Sequence, residues 1–221
     1  MLFRSEAAYP RQFGQAYWDD LSADPARAAS FDALMGDRLV ADLPVIAAAY
    51  PWGTLGHVID VGGGNASLLI AVLHGHDELR GTVIDLPGPV ARAEQAITAA
   101  GLGDRADARA GSFFDALPPG AGGYVLSGVL HDWDDEHARR ILQRCADAAA
   151  DTGRVLVVDH VRGRQDVPDT EGDLRMLCYV QGRERTLGQV SELAEAAGLR
   201  VGEVVPAGSR TIIELRASGR V

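Results

Sequence analysis

The sequence predicts an α/β fold built on a mostly parallel sheet with helices on both faces. Three observations carry this. The apolar run Val58-Ile59-Asp60-Val61 ends in Gly62-Gly63-Gly64, and a second apolar run, Leu68-Leu69-Ile70-Ala71-Val72-Leu73, follows at once. From residue 57 onward, short strand-like runs alternate with longer helical ones, as in parallel strands joined by crossover helices. Acids stand near the ends of the first two strand-like runs, at Asp60 and Asp85, where open sheets of this kind bind ligands.

The elements follow in order. Residues 1–52 read as helical and irregular. Asp24-Pro25 is a helix start, a cap followed by a first-turn proline. Phe31, Leu34 and Met35 share a face of that helix, and Pro44 should break it. Strands are expected at 57–61, 81–85, 106–110, 122–127 and 154–160, and helices at 66–75, 88–100 and 134–150. Further helices are expected at 172–180 and 186–197, the second capped by Gly198. The last strands, 200–205 and 210–216, are joined by Pro206-Ala207-Gly208-Ser209, a connection short enough to make them antiparallel. Tyr9, Phe13, Tyr17 and Trp18 bring aromatic surface together early. They either pack on the main domain or await a missing domain or partner subunit.

Composition sets outer limits. The 221 residues suffice for one α/β domain, with 47% hydrophobic and 24% charged residues. A net charge of −10 argues against nucleic acid or an anionic membrane as the main partner. No apolar run approaches the roughly 20 residues of a membrane span, and the N-terminus lacks the apolar stretch of a signal peptide. Cys145 and Cys178 read as reduced core residues of a cytoplasmic protein.

The glycine corner should hold the polar part of a nucleotide-like cofactor. Glycine admits backbone angles closed to other residues, and the helix behind it aims amide donors and a positive dipole end at the turn. Gly62 and Gly64 fit a dinucleotide fingerprint, but Ser67 stands where its third glycine belongs. Asp60 repels phosphate and suits a ligand amine or hydroxyl. Asp85 stands where an acid takes ribose hydroxyls. The corner therefore reads as an adenosine site, with a nicotinamide oxidoreductase as the competing class.

The most polar cluster is Ser127-Gly128-Val129-Leu130-His131-Asp132-Trp133-Asp134-Asp135-Glu136-His137, at the end of the fourth strand. His131 is a natural general base, because imidazole titrates near neutrality. Asp134 and Asp135 are explained as cap and first-turn acids of a helix. That helix buries Ala138, Ile141, Leu142, Cys145 and Ala149 and leaves His137 exposed. A metal site from His131, Asp132, Asp134 and His137 is therefore set aside, and no metal is expected.

Asp60-Val61-Gly62-Gly63-Gly64, Asp85-Leu86-Pro87, Gly111-Ser112-Phe113-Phe114 and His131-Asp132-Trp133 occur in this order. Together they resemble the S-adenosylmethionine-dependent O-methyltransferases of the plant caffeate/flavonoid type and their bacterial antibiotic-tailoring relatives. The resemblance runs from about residue 25 to the C-terminus. It implies a Rossmann-like class I methyltransferase fold with a seven-stranded sheet and an antiparallel last strand, and S-adenosyl-L-methionine as cofactor. The implied cofactor contacts are Asp60, Gly62, Gly64, Asp85, Leu86, Ser112, Phe113 and Ser127. Ser112 departs from the acid common at its place, and Ser127 from the lysine of plant members. His131 matches the catalytic base, steered by Glu184 and Glu214. Phe31, Met35, Met176 and Tyr179 match walls of the acceptor pocket. The expected acceptor is a small phenolic natural product, with N-methylation or other chemistry on the same cofactor as the alternative. The resemblance also implies an N-terminal dimerisation domain. Residues 1–52 would be its remnant or linker, 53–221 the catalytic domain, and a homodimer the expected assembly.

Overall fold

The structure, a computed structural model, describes residues 7–162, 174, 176 and 178–219. Seven strands form the central sheet: β1 (His57–Val61), β2 (Arg80–Asp85), β3 (Ala106–Ala110), β4 (Gly123–Ser127), β5 (Arg154–Asp159), β8 (Leu199–Ala207) and β9 (Arg210–Ala217). Their order is β3-β2-β1-β4-β5-β9-β8. The first five run parallel, and β9 is antiparallel to both β5 and β8. The expected seven-stranded sheet with an antiparallel last strand is the one observed. A small parallel pair, β6 (Val161–Arg162) with β7 (Arg185–Thr186), lies outside that expectation.

Period-two alternation divides the core into two layers. Ile59, Val61, Tyr124 and Leu126 pack on one side, with Ile141 and Leu142 of α7 (Asp135–Ala149) and Val190 and Leu193 of α8 (Leu187–Ala196). Val58, Val83 and Val125 pack on the other, with Leu69 of α5 (Ser67–His74) and Ala93 of α6 (Pro87–Ala99). Local signals set the helix ends. Asp134 caps α7 by accepting from His137 N at 2.9 Å, as expected, and His137 is exposed. Thr186 and Gln189 form a capping box on α8.

The chain before β1 forms four helices: α1 (Ala8–Phe13), α2 (Tyr17–Ala23), α3 (Pro25–Val40) and α4 (Leu43–Ala49). Asp24 caps α3 through Ala26 N and Arg27 N, and Pro44 stands in the first turn of α4 rather than inside α3. Ile46, Tyr50 and Trp52 are buried against α5 and β1, and the Trp52 indole N–H donates to Ile46 O at 3.0 Å. Helix α3 crosses the glycine corner. A Cβ on Gly36 would lie 2.9 Å from Asn65 Nδ2, and Arg92 of α6 binds Asp32 of α3 (Nε to Oδ2, 2.8 Å).

Two expectations need correction. Strand β8 runs through Pro206 and Ala207, so the turn is only Gly208-Ser209. Proline is tolerated there because β8 is the edge strand. Cys178 is exposed, not core; Cys145 alone is buried. The helix expected at 172–180 lies partly outside the described residues, although 174, 176, 178 and 179 are helical. Among the described residues no helix is long and apolar enough to cross a membrane.

Candidate active site

The glycine corner is built as its sequence requires. Gly62 and Gly64 take φ of 75° and 57°, which a β-carbon would strain. Gly62 has a second reason to be glycine: a Cβ there would lie 2.9 Å from Val129 Cγ2 and 3.4 Å from the Phe113 ring. The corner thus opens against the turn after β4. Ala66 also takes a left-handed φ of 67° just ahead of α5, a locally costly conformation of the kind that gathers at ligand sites.

Two acids serve this corner. Asp85 Oδ2 accepts from Gly64 N at 2.9 Å and Oδ1 from Leu86 N at 2.7 Å. Burial still raises its pKa, against those two N–H groups. Asp60 is 2% exposed, and neither carboxylate oxygen has a hydrogen-bond partner among the described residues. Burial, then the neighbouring Asp85, push its pKa to about 7. A buried acid without partners is costly, and groups perturbed in this way gather at functional sites.

Strand β4 ends at Ser127, and a short 3-10 turn, Leu130–Asp132, carries His131. Its Nδ1 lies 3.1 Å from Asp159 Oδ1 and 3.2 Å from Glu184 Oε1, at ion-pair rather than hydrogen-bond alignment. Nε2 is 3.5 Å from Asp132 Oδ1. Burial alone would lower the imidazole pKa. The carboxylates of Asp159, Asp132 and Glu184 outweigh it and hold the pKa well above 6.5. Asp159, although buried, is held below its usual value by His131 and by Arg210. Asp132 is pushed up to about 7 by burial, against the pull of His131.

The expected set of base-steering residues is half right in placement. Glu184 is at the imidazole. Glu214 is not: it binds Tyr50, Arg154 and Arg216. Asp159 occupies the second carboxylate place. The reason is strand direction. Asp159 closes a parallel strand, whereas β9 runs the other way and reaches that end of the sheet with Thr211, the partner of Asp159 in register. The signal that could have found Asp159 is the apolar run Val155-Leu156-Val157-Val158 ending in an acid.

An aromatic wall rises beside His131. Trp133 meets Phe113 and Phe114 edge to face at 5.8 and 4.8 Å, and Trp18 stacks on Trp133 at 6.5 Å between centroids. Phe31 meets Trp18 edge to face at 5.6 Å, and Tyr179 lies 5.3 Å from Tyr17. Phe31 and Tyr179 therefore join the wall, and Tyr17, Trp18 and Trp133 extend it beyond the expected residues. The early aromatic cluster packs on the main domain in this way, although Phe13 stays 59% exposed. Met35 and Met176 are half-buried. Ser112 Oγ accepts from Phe114 N at 3.2 Å and shapes the turn that presents Phe113. Ser127 is half-buried at the end of β4, and Leu86 lies exposed at the mouth of the corner.

A mostly parallel seven-stranded sheet with a glycine corner, a strand-end acid and a histidine beyond the fourth strand defines the Rossmann-like methyltransferase class. A family model described as an O-methyltransferase domain matches residues 2–200, and the chain belongs to that family. It is 50% identical over 212 residues to 2,7-dihydroxy-5-methyl-1-naphthoate 7-O-methyltransferase of Streptomyces carzinostaticus, covering 96% of this chain and 64% of that one. It is 43% identical to aclacinomycin 10-hydroxylase RdmB of Streptomyces purpurascens, over 93% of this chain and 56% of the relative. An O-methyltransferase from neocarzinostatin biosynthesis, solved with S-adenosylmethionine and 2-hydroxy-5-methyl naphthoic acid, superposes with a TM-score of 0.92 at 50% identity, covering 96% of this chain and 64% of that chain. The chain thus spans less than two thirds of the length of these relatives.

Proposed function

We propose that this chain is the catalytic unit of an S-adenosylmethionine-dependent O-methyltransferase acting on a small aromatic hydroxyl compound. The observation that carries this reading is His131, a histidine flanked by two buried carboxylates on the turn that abuts the glycine corner. The residues present fit the cofactor. The bare carboxylate of Asp60 offers an acceptor for an ammonium group. Asp85 offers one for ribose hydroxyls, and the half-buried Phe113 a ring face for adenine. Gly62, Gly64, Leu86, Ser112 and Ser127 would complete the contact.

When bound, the cofactor supplies a methyl group activated by a positive sulfur. The protein's own work is alignment and proton removal. Alignment alone can supply much of the rate. Asp159 and Glu184 hold the Nδ1 side of the imidazole, which leaves Nε2 to take the acceptor's hydroxyl proton, and they stabilise the imidazolium that forms. Phe31, Tyr179 and the two tryptophans offer flat apolar faces to an aromatic ring, and Met35 and Met176 adaptable ones. The naphthoate-acting relative supports a fused aromatic phenol as acceptor.

Labelled S-adenosylmethionine and a phenol panel that includes 1,4-dihydroxy-2-naphthoic acid test this. Transfer is expected from the wild-type chain and not from His131→Ala. The relative named as a hydroxylase favours a second reading, cofactor binding without methyl transfer. Calorimetric binding of S-adenosylhomocysteine with no methylated product across the panel would select it. Residues 1–52 as a remnant or linker of a dimerisation domain, 53–221 as catalytic domain, a homodimer and a cytoplasmic setting complete the proposal. Sedimentation of the purified chain tests the dimer.

A further inference from the structure

We propose that Arg185 is a positioning residue for the base: a single guanidinium brackets the turn that carries His131 and Asp132. The inference rests on the reading of His131 as base. Arg185 is 4% exposed. Its Nη1 donates to Leu130 O at 2.6 Å, and Nη2 donates to Trp133 O at 2.7 Å. Those carbonyls immediately precede and follow the His131-Asp132 pair. Nη2 and Nε also reach Asp135 Oδ1, at 2.9 and 3.2 Å, in the first turn of α7. The neighbouring residue, Glu184, contacts the imidazole Nδ1. One short segment therefore supplies a carboxylate to the ring and a clamp to the backbone that carries it.

The same segment is pressed against the turn. A Cβ on Gly182 would lie 1.8 Å from His131 O, so glycine is required for this approach. Arg183 binds Asp135 as well. Arginine is needed at 185 because its planar fork meets two carbonyls and a carboxylate at once. Lysine carries the same charge on a single point and cannot span both carbonyls. Release of either carbonyl lets the turn swing and alters the imidazole's distance from its carboxylates. The charged groups facing His131 are Asp132 on its own turn, Asp159 on β5 and Glu184 beside β7; Arg210 on β9 acts on Asp159.

The test compares the wild-type chain with Arg185→Lys and with Asp135→Asn, which removes the charge from one arm at a half-exposed site. Four quantities are read: the dissociation constant of S-adenosylhomocysteine, kcat and KM with 1,4-dihydroxy-2-naphthoic acid, and the His131 titration in histidine-labelled protein by NMR, assigned with His131→Gln. Arg185→Lys should lower kcat by about tenfold or more, since small misplacements of a reacting group are costly. Its cofactor-product affinity should stay within about threefold, and the His131 pKa should fall towards 6.5. Asp135→Asn should move both in the same direction by less. An unchanged His131 titration in Arg185→Lys overturns the proposal. So does a fall in kcat that only tracks a loss of S-adenosylhomocysteine-binding protein. If the wild-type chain transfers no methyl group, the base reading fails, and the imidazole titration still decides what Arg185 does.

Discussion

Two acids in this sheet are buried to the same degree and behave in opposite ways. Asp60 on β1 is 2% exposed and Glu214 on β9 is 1% exposed. Glu214 accepts from the Tyr50 hydroxyl and from Arg216, and Arg154 Nη1 stands 3.3 Å away. Burial would raise its pKa, but these partners hold it below the usual value. Asp60 has no hydrogen-bond partner among the described residues, and its pKa stands at about 7. Solvent exposure alone therefore does not separate these two acids; the partner set does. A saturated acid ties elements together, here the end of α4 to β5 and β9. A bare acid carries a cost that is relieved by taking up a proton or by a bound donor.

The largest effect expected lies at the polar end of the sheet. His131→Ala should lower methyl transfer by about 10²-fold or more, with S-adenosylhomocysteine affinity changed little. Asp159→Asn should also impair transfer, because the imidazole Nδ1 loses one of its two carboxylates. If Glu214→Gln impairs transfer equally, the contrast between the two acids breaks and Glu214 regains the role that the family resemblance implies for it.

Asp60 sharpens the contrast through pH. Its pKa is raised in the folded state, so between about pH 4 and 7 the folded protein holds a proton that the unfolded chain has lost. Stability therefore falls as pH rises through that window, by at most about 4 kcal/mol from this group. Asp60→Asn should flatten the denaturation profile there and weaken cofactor binding by about tenfold or more. Asp132, also at about 7, stays in both proteins and cancels in the difference. Unchanged pH dependence in Asp60→Asn would show that this carboxyl has a partner after all.

Glu214 should show the reverse sign. Its pKa is lowered, so its contribution is present above the unfolded value and is lost as pH falls through the folded one. Arg154 and Arg216 are 29% and 48% exposed, so water screens the pair. Glu214→Gln should cost only about 1–2 kcal/mol by chemical denaturation. The smallest effect belongs to the helix cap. Asp134→Ala should cost about 1 kcal/mol without moving the titration of either buried acid.

Much of the fold was legible because its signals are local. The glycines at 62 and 64, the proline after Asp24 and the acids around Asp134 each act within a few residues of themselves. The candidate site was legible where it lies at the ends of parallel strands, as with Asp85 and His131. It was misread where chain direction decides. Asp159 and Glu214 both punctuate apolar runs, and only the pairing of Asp159 with Thr211 shows which one reaches His131. Arg185 was invisible for a related reason: its meaning depends on a turn about fifty residues earlier, which the fold alone brings alongside. The reach of α3 over the corner, through Gly36 and Asn65, is likewise a product of packing between distant helices.

The tryptophans carry an experimental consequence. The chain has three. Trp52 is sealed in the core with its N–H already satisfied, and should emit as a constant background. Trp18 and Trp133 stack on each other beside His131, and Trp133 also touches the ring expected against adenine. Their intrinsic fluorescence should respond when either half of that cleft fills, giving an optical titration that needs no attached dye.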